Sequence, residues 1–392
     1  MKARRLAIGL SASVIALLLA GDLALTLFVL PNKSIIWRPI PPFGATTFEP
    51  QREWVKVQRE ELAGVRKQHG VGRFDPLLGW NHRPNSKSPA GDVTINERGL
   101  RSLREYDDET PKGVVRIVAC GDSFTLGQEV SDTEAWPAIL ESRMGAAEVW
   151  NAGVGGHGTD QAFLRFQLLD TGTIDVLIVG LLLENIGRNV NRYRPRWYPR
   201  SDTPVAKPRF VLEGLGLRLI RQPYATRDAL LTAVETGTVL EELRTDEYWL
   251  DEHLPSWLGG SSIARLLAAS RVYRDRELPR LWADPEGEPF QVTLRILELF
   301  RKVGEERGVQ RFLVLIFPIE SDLVGLVENG TRYWSTLIDA LEDRGMDHID
   351  VVELLRDPWA QRVADRPPVF TGTHLSPDSN LRVAMAIERW LE

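Results

Sequence analysis

Cysteine is almost absent from this chain: Cys120 is the single one among 392 residues, so no internal disulfide framework is available to it. Cys120 closes an apolar run and reads as a small buried residue, not as a reactive thiol. Charge of one sign is also lacking. Lys and Arg number 48 against 54 Asp and Glu, a formal net charge of −6. No block of like charge reads as a polyanion-binding tail, so nucleic acid is not an expected partner. Histidine is scarce and scattered. His157 has no second His, Asp or Cys at ligand spacing, so no metal site is expected, and nothing implies a cofactor. Internal repeats and low-complexity segments are absent as well.

What is present divides the chain into four parts. The apolar fraction of 43% is ordinary for a protein that buries a core. Residues 1–31 hold an apolar stretch from Leu6 to Leu30, interrupted mainly by Asp22, preceded by Lys2, Arg4 and Arg5 and closed by Pro31. Its length suits a bilayer, and the leading positive charge predicts a cytoplasmic N-terminus with the remainder extracytoplasmic, in the periplasm of a bacterial envelope. A cleaved signal peptide is the rival reading, with Leu18-Leu19-Ala20 a poor small-x-small site. Residues 32–68 read as a proline-rich stalk followed by a charged, membrane-proximal helix from Gln51 to Gln68. Residues 69–112 form a preamble of short strands and turns, punctuated by Asp75-Pro76, Pro84-Asn85 and Arg98-Gly99. Residues 113–392 alternate strands and helices as in a doubly wound parallel α/β sheet, a flavodoxin-like three-layer architecture, with an insertion at about 190–290.

Four short blocks in that last part carry chemistry. The β-branched run Val114–Ala119 predicts a buried parallel strand, and Gly121-Asp122-Ser123-Phe124 follows it. Ser123 therefore stands at a strand's C-terminal end, where open α/β sheets put their reacting groups. Asn151-Ala152-Gly153-Val154-Gly155-Gly156 follows a second strand, Ala147–Trp150, and Asn185 a third, Asp175–Leu183. A Gly backbone N–H and an Asn amide are suitable donors for a developing oxyanion. Near the C-terminus, Thr373-His374-Leu375-Ser376-Pro377 offers a base for a serine nucleophile, and such partners need not be close in sequence. Further strands are expected over Arg311–Phe317 and Ile349–Leu354, a hairpin over 207–220, and helices from Ser131 to Met144, from Thr331 to Arg344 and after Ser376-Pro377.

Over residues 113–392 these blocks resemble the SGNH hydrolases of the GDSL type. The resemblance implies that Ser123 is the nucleophile, Gly156 and Asn185 oxyanion donors and His374 the base. Two positions depart from the family pattern. Ile186 follows Asn185 where the family has Asp, and Thr371 stands where the family's acid precedes the His by three residues. The orienting group for His374 is thus unassigned, with Asp365 and Asp378 the nearest carboxylates in sequence. The preamble resembles one found ahead of membrane-anchored bacterial SGNH proteins, many of them linked to surface polysaccharides.

The resulting expectation is an esterase that removes O-acyl groups, acetyl foremost, from a cell-surface glycan or a small ester. The alternatives are an O-acyltransferase of the same fold acting on a polysaccharide and a non-catalytic glycan-binding or scaffold protein, which Thr371 and Ile186 favour. Arg188, Arg192, Arg194, Arg196 and Arg200, interleaved with Tyr193, Trp197 and Tyr198, read either as a site for an anionic sugar, phosphate or headgroup or as structural ion pairs.

Overall fold

The computed structural model describes residues 2–25, 27, 49–67, 70–198, 201, 203–244, 261–264, 267, 274–361 and 368–392. Its centre is a sheet of five parallel strands: β5 (Val115–Cys120), β6 (Ala147–Asn151), β7 (Val176–Leu182), β10 (Arg311–Phe317) and β11 (Asp347–Asp350). Four shorter strands precede these in the chain: β1 (Gly72–Asp75), β2 (Gly79–His82), β3 (Ser86–Lys87) and β4 (Thr94–Ile95). Between β7 and β10 lie β8 (Arg209–Glu213) and β9 (Gly216–Ile220), the expected hairpin, and after β11 come β12 (Phe370–Thr371) and β13 (His374–Leu375). Every residue of β7 is buried, as a strand covered by helices on both faces requires.

Across the sheet the order is β11-β10-β7-β5-β6. The chain therefore winds outward in both directions from β5 and β7, and the crevice between their C-terminal ends is where such sheets bind ligands. Helices pack in two groups. The helix α4 (Trp136–Met144) lies against the closing helix Pro377–Leu391, which also meets Val351–Ala360; α5 (Thr159–Leu168) lies against the long helix Glu288–Glu306.

One polar residue sits inside β5. The Arg116 guanidinium bonds Glu148 of β6 at 2.9 Å and the carbonyls of Asp107, Asp108 and Thr171, so the buried charge is paired and its donors are used. The preamble joins the sheet edge through Arg101, whose backbone bridges Asn151 of β6.

The apolar N-terminal stretch forms helix α1 (Lys2–Ala24). Among the described residues no helix is long and apolar enough to cross a membrane, so the expected span over Leu6–Leu30 is not carried by the structure. Positions 26 and 28–30 of that span lie outside the described residues. Asp22 near the helix end is engaged by protein, its carboxylate accepting from Ser261 Oγ at 2.9 Å and Ile263 N–H at 2.7 Å.

Several expected boundaries shift. Helix α2 spans Glu49–Leu62, ending short of Gln68. Helix α4 begins at Trp136 instead of Ser131, because Pro137 suits a first helical turn while Ser131 and Glu134 bond to each other in the turn before it. The expected strand Ile349–Leu354 is cut short: Asp350 accepts from Val352 and Glu353 N–H and caps a helix there. The expected helix over Thr331–Arg344 is confined to Ser335–Glu342.

Candidate active site

At the end of β5 the chain turns through Gly121 into a single helical turn, α3 (Ser123–Leu126). A Cβ on Gly121 would lie 2.1 Å from Thr125 Oγ1 and 2.9 Å from the Gly180 carbonyl, so only glycine lets this turn press against β7. Asp122 caps α3 by accepting from Phe124 N–H at 2.9 Å. Ser123 is thereby held at the mouth of the crevice, buried but on a wall of the cleft.

His374 stands on the facing turn. The pair β12–β13 is a tight hairpin in which Thr371 lies directly across from His374, with Gly372 at a φ of +59° in between. The imidazole packs on Phe124, ring centroids 5.0 Å apart. Ser123 Oγ and His374 make no hydrogen bond to each other among the described residues; such bonds tighten on substrate binding.

The carboxylate beside the His374 ring is Glu129. Its Oε2 lies 3.2 Å from His374 Nδ1 and accepts the backbone N–H groups of Thr373 at 2.8 Å and His374 at 3.1 Å. Thr373 Oγ1 lies 3.1 Å from the same ring nitrogen and 3.3 Å from Glu129 Oε1. Partial burial works to raise the Glu129 carboxyl, but the Thr373 N–H and then His374 hold it below the usual carboxylate range. The carboxyl is therefore ionised near neutrality.

Two local features let Glu129 reach. Its own backbone has a φ of +72°, an uncommon conformation for a non-glycine residue. Across the gap, a Cβ on Gly372 would fall 2.4 Å from Glu129 Oε2, so the missing side chain is what admits the carboxylate. The loop bearing Glu129 is fixed from beneath by Arg101, which donates to the carbonyls of Leu126, Gly127 and Val130 and to Asp132. Of the two carboxylates nearest in sequence, Asp378 pairs with Arg382 at 2.8 Å, and Asp365 lies outside the described residues. Sequence reasoning missed Glu129 because it sought the acid beside the base. Glu129 lies six residues after Ser123, in the loop that follows it.

Ser123, Gly156 and His374 line one cleft of about 550 Å³, together with Phe124, Leu182 and Tyr198. Gly156 has a φ of +76°, and its N–H and that of Ser123 have no acceptor among the described residues. Both are thus free to serve an oxyanion.

Asn185 is placed otherwise. It opens the short helix α6 (Asn185–Arg188) and is 1% exposed, with both amide atoms enclosed and unpartnered among the described residues. The residue of this turn that lines the cleft is Glu184. Its carboxylate takes Arg188 at 2.7 Å and the Tyr198 hydroxyl, and Arg188 reaches Asp122 at 3.3 Å. Burial pushes the Asp122 carboxyl up against the pull of Arg188, whereas Arg188 and Arg194 overcome burial at Glu184 and hold its carboxyl down.

The arginine-rich stretch is mostly structural. Arg192 donates to Arg221 O and Arg196 to Leu240 O, and Arg200 lies outside the described residues. Among the described arginines of the stretch, Arg188 and Arg194, the latter on α7 (Arg194–Trp197), line the cleft. His157 is a buried histidine whose Nε2 sits 2.9 Å from Trp80 O, and burial pushes its imidazole down to about 3.

No family model and no curated protein matches the chain. Similar solved structures include a lipolytic protein of the G-D-S-L family from Desulfitobacterium hafniense, 11% identical with a TM-score of 0.36 over 70% of this chain and 98% of that one. Another is a member of the lipolytic protein G-D-S-L family from Veillonella parvula, 11% identical with a TM-score of 0.32 over 71% of this chain and 100% of that one. A third is a catalytic mutant of an acetylxylan esterase from Geobacillus stearothermophilus, 10% identical with a TM-score of 0.36 over 72% of this chain and 95% of that one. The chemistry of this chain is read from the cleft itself.

Proposed function

We propose that the protein is a serine esterase that hydrolyses O-acyl esters through Ser123, His374 and Glu129. Ser123 Oγ adds to the ester carbonyl while His374 Nε2 takes its proton. Glu129 holds the Nδ1 hydrogen and stabilises the imidazolium, and the N–H groups of Ser123 and Gly156 receive the oxyanion. The imidazolium returns its proton to the departing alkoxide, leaving an acyl-enzyme. Water then attacks by the reverse of these steps.

The observation that carries this reading is the carboxylate 3.2 Å from His374 Nδ1 in a cleft shared by Ser123 and Gly156. It weighs against the non-catalytic alternative, which Thr371 and Ile186 favour. The test is hydrolysis of p-nitrophenyl acetate and butyrate, beside acetylated polysaccharides, by the full chain and its Ser123→Ala form. Activity in the first alone supports the reading, and activity in both sinks it.

The substrate we propose is an acetylated glycan outside the cytoplasm, with α1 as the attachment to lipid. The support for attachment is a row of exposed apolar side chains, among them Ile15, Leu17, Leu18 and Leu19, behind Lys2, Arg4 and Arg5. A C-terminal reporter active only in the periplasm, on protein that resists a high-salt wash, would bear this out. A reporter active in the cytoplasm would refute it.

A further inference from the structure

Beyond the catalytic cleft, across a wall made by Gly156 and Arg194, lies a second cavity of about 540 Å³. Both residues line both spaces, so a bound chain could run from one into the other. The far walls are helix α2, the β1–β2 hairpin and helix α8 (Arg227–Thr236), elements that the catalytic steps leave unused.

The lining has a definite chemistry. Trp54, Phe74 and Trp80 contribute aromatic surface, and Trp80 is pinned by its indole N–H to Gly155 O at 2.9 Å. Guanidinium groups outnumber carboxylates. Arg227 pairs with Glu61 at 3.0 Å, which leaves Arg73 and Arg194 facing the cavity with no lining carboxylate of their own. Arg73 is exposed on β1 and forms no ion pair among the described residues. Arg194 stacks over Tyr198 at 5.0 Å, while the nearby Glu184 carboxylate is taken by Arg188 and Tyr198. An acyl chain would want an apolar tunnel. This cavity instead offers flat ring faces and two planar cations suited to carboxylates.

We propose that this second cavity is a subsite for a uronic-acid unit of the same acylated glycan, its ring against Trp54 and Trp80 and its carboxylate on Arg73 and Arg194. The inference rests on the esterase reading only in placing the acylated unit at Ser123; binding in the second cavity needs no catalysis.

The test is calorimetric titration of the full-length Ser123→Ala protein with an unacetylated trigalacturonate and with a neutral trisaccharide, at about 0.15 M salt. The expected result is that trigalacturonate binds at least about tenfold more tightly, the scale of one charge-assisted contact. Adding Arg73→Gln should remove most of that preference, and Trp54→Ala should weaken both sugars. In the protein with Ser123 intact, Arg73→Gln should leave p-nitrophenyl acetate hydrolysis unchanged. Equal binding of the two sugars, binding of neither, or indifference to Arg73→Gln would each overturn the proposal. Trigalacturonate binding without any ester hydrolysis would keep the subsite and sink the esterase.

Discussion

The two turns that make the candidate active site are built on opposite plans. The nucleophile turn, from Gly121 to Leu126, is enclosed by the sheet, with Gly121 jammed against β7 and Asp122 fully buried beneath Ser123. The base turn, from Thr371 to His374, is an exposed two-residue hairpin loop with little packing of its own. The first is positioned by many contacts. The second is tied to the first by Glu129, which the first turn's loop extends to it, and by the His374 ring lying on Phe124. In the proposed mechanism the geometry depends on a bridge between the two turns, and the bridge should be the weakest point of the site.

Removing the chemistry at either end should have the largest effect. Ser123→Ala and His374→Ala should each reduce hydrolysis of p-nitrophenyl acetate to background, a loss on the order of 10⁶ where a full triad operates. Ser123 Oγ makes no hydrogen bond among the described residues, so the thermal midpoint of Ser123→Ala should stay near that of the parent. Residual turnover in that variant beyond about 10⁻³ of the parent would reassign the nucleophile.

Closing the gap that admits the bridge should come next. Gly372→Ala adds a methyl where the Glu129 carboxylate sits, at a φ of +59° that L-residues rarely adopt. Steady-state assays should find kcat lowered by about ten- to a hundredfold with KM little changed, as expected for misplacement of a catalytic group by about 1 Å. An unaltered kcat would mean that the two turns adjust freely.

Supplying a second acid should matter less. Thr371→Asp puts a carboxylate across the hairpin from His374, near the charge of Glu129. Like-charge crowding should leave kcat unchanged or modestly lowered. A large gain would show that Glu129 does not do the orienting.

The smallest effect concerns stability at the rim. Asp322 is buried beside Tyr333 and accepts from its hydroxyl at 2.6 Å, and burial raises its carboxyl to about 6. Because that folded-state value lies above the unfolded one, its contribution is full below about pH 4 and is lost as pH rises through about 6. Thermal melts of Asp322→Asn across pH 4 to 7 should therefore decline less than those of the parent. Parallel curves would remove Asp322 as the titrating group.

Much of the enclosed turn could be read from sequence, and little of the bridge. The apolar run before Ser123, the glycine-rich turn ending at Gly156 and the alternation of strands and helices follow from local periodicity, which burial between helices imposes. The partner of His374 was not local. Glu129 lies 245 positions away in sequence, and what makes it reach is a positive φ at a glutamate, which residue type does not show, and a glycine opposite, whose pairing with it appears only in the fold. Asn185 is a different case. It follows a strand as expected, its amide is enclosed, and its neighbour Glu184 is the residue that lines the cleft. A single residue of phase at a strand's end decides which side chain reaches the cleft, and periodicity does not fix it.

The most direct test of the central claim is the turnover of Glu129→Gln on p-nitrophenyl acetate beside the parent at neutral pH. The amide preserves size and some hydrogen bonding but cannot stabilise an imidazolium. The account predicts a fall in kcat of about 10² to 10⁴ with the fold intact, as when a triad loses its acid. A kcat within about threefold of the parent would contradict it, because a charge worth that little is not orienting the base.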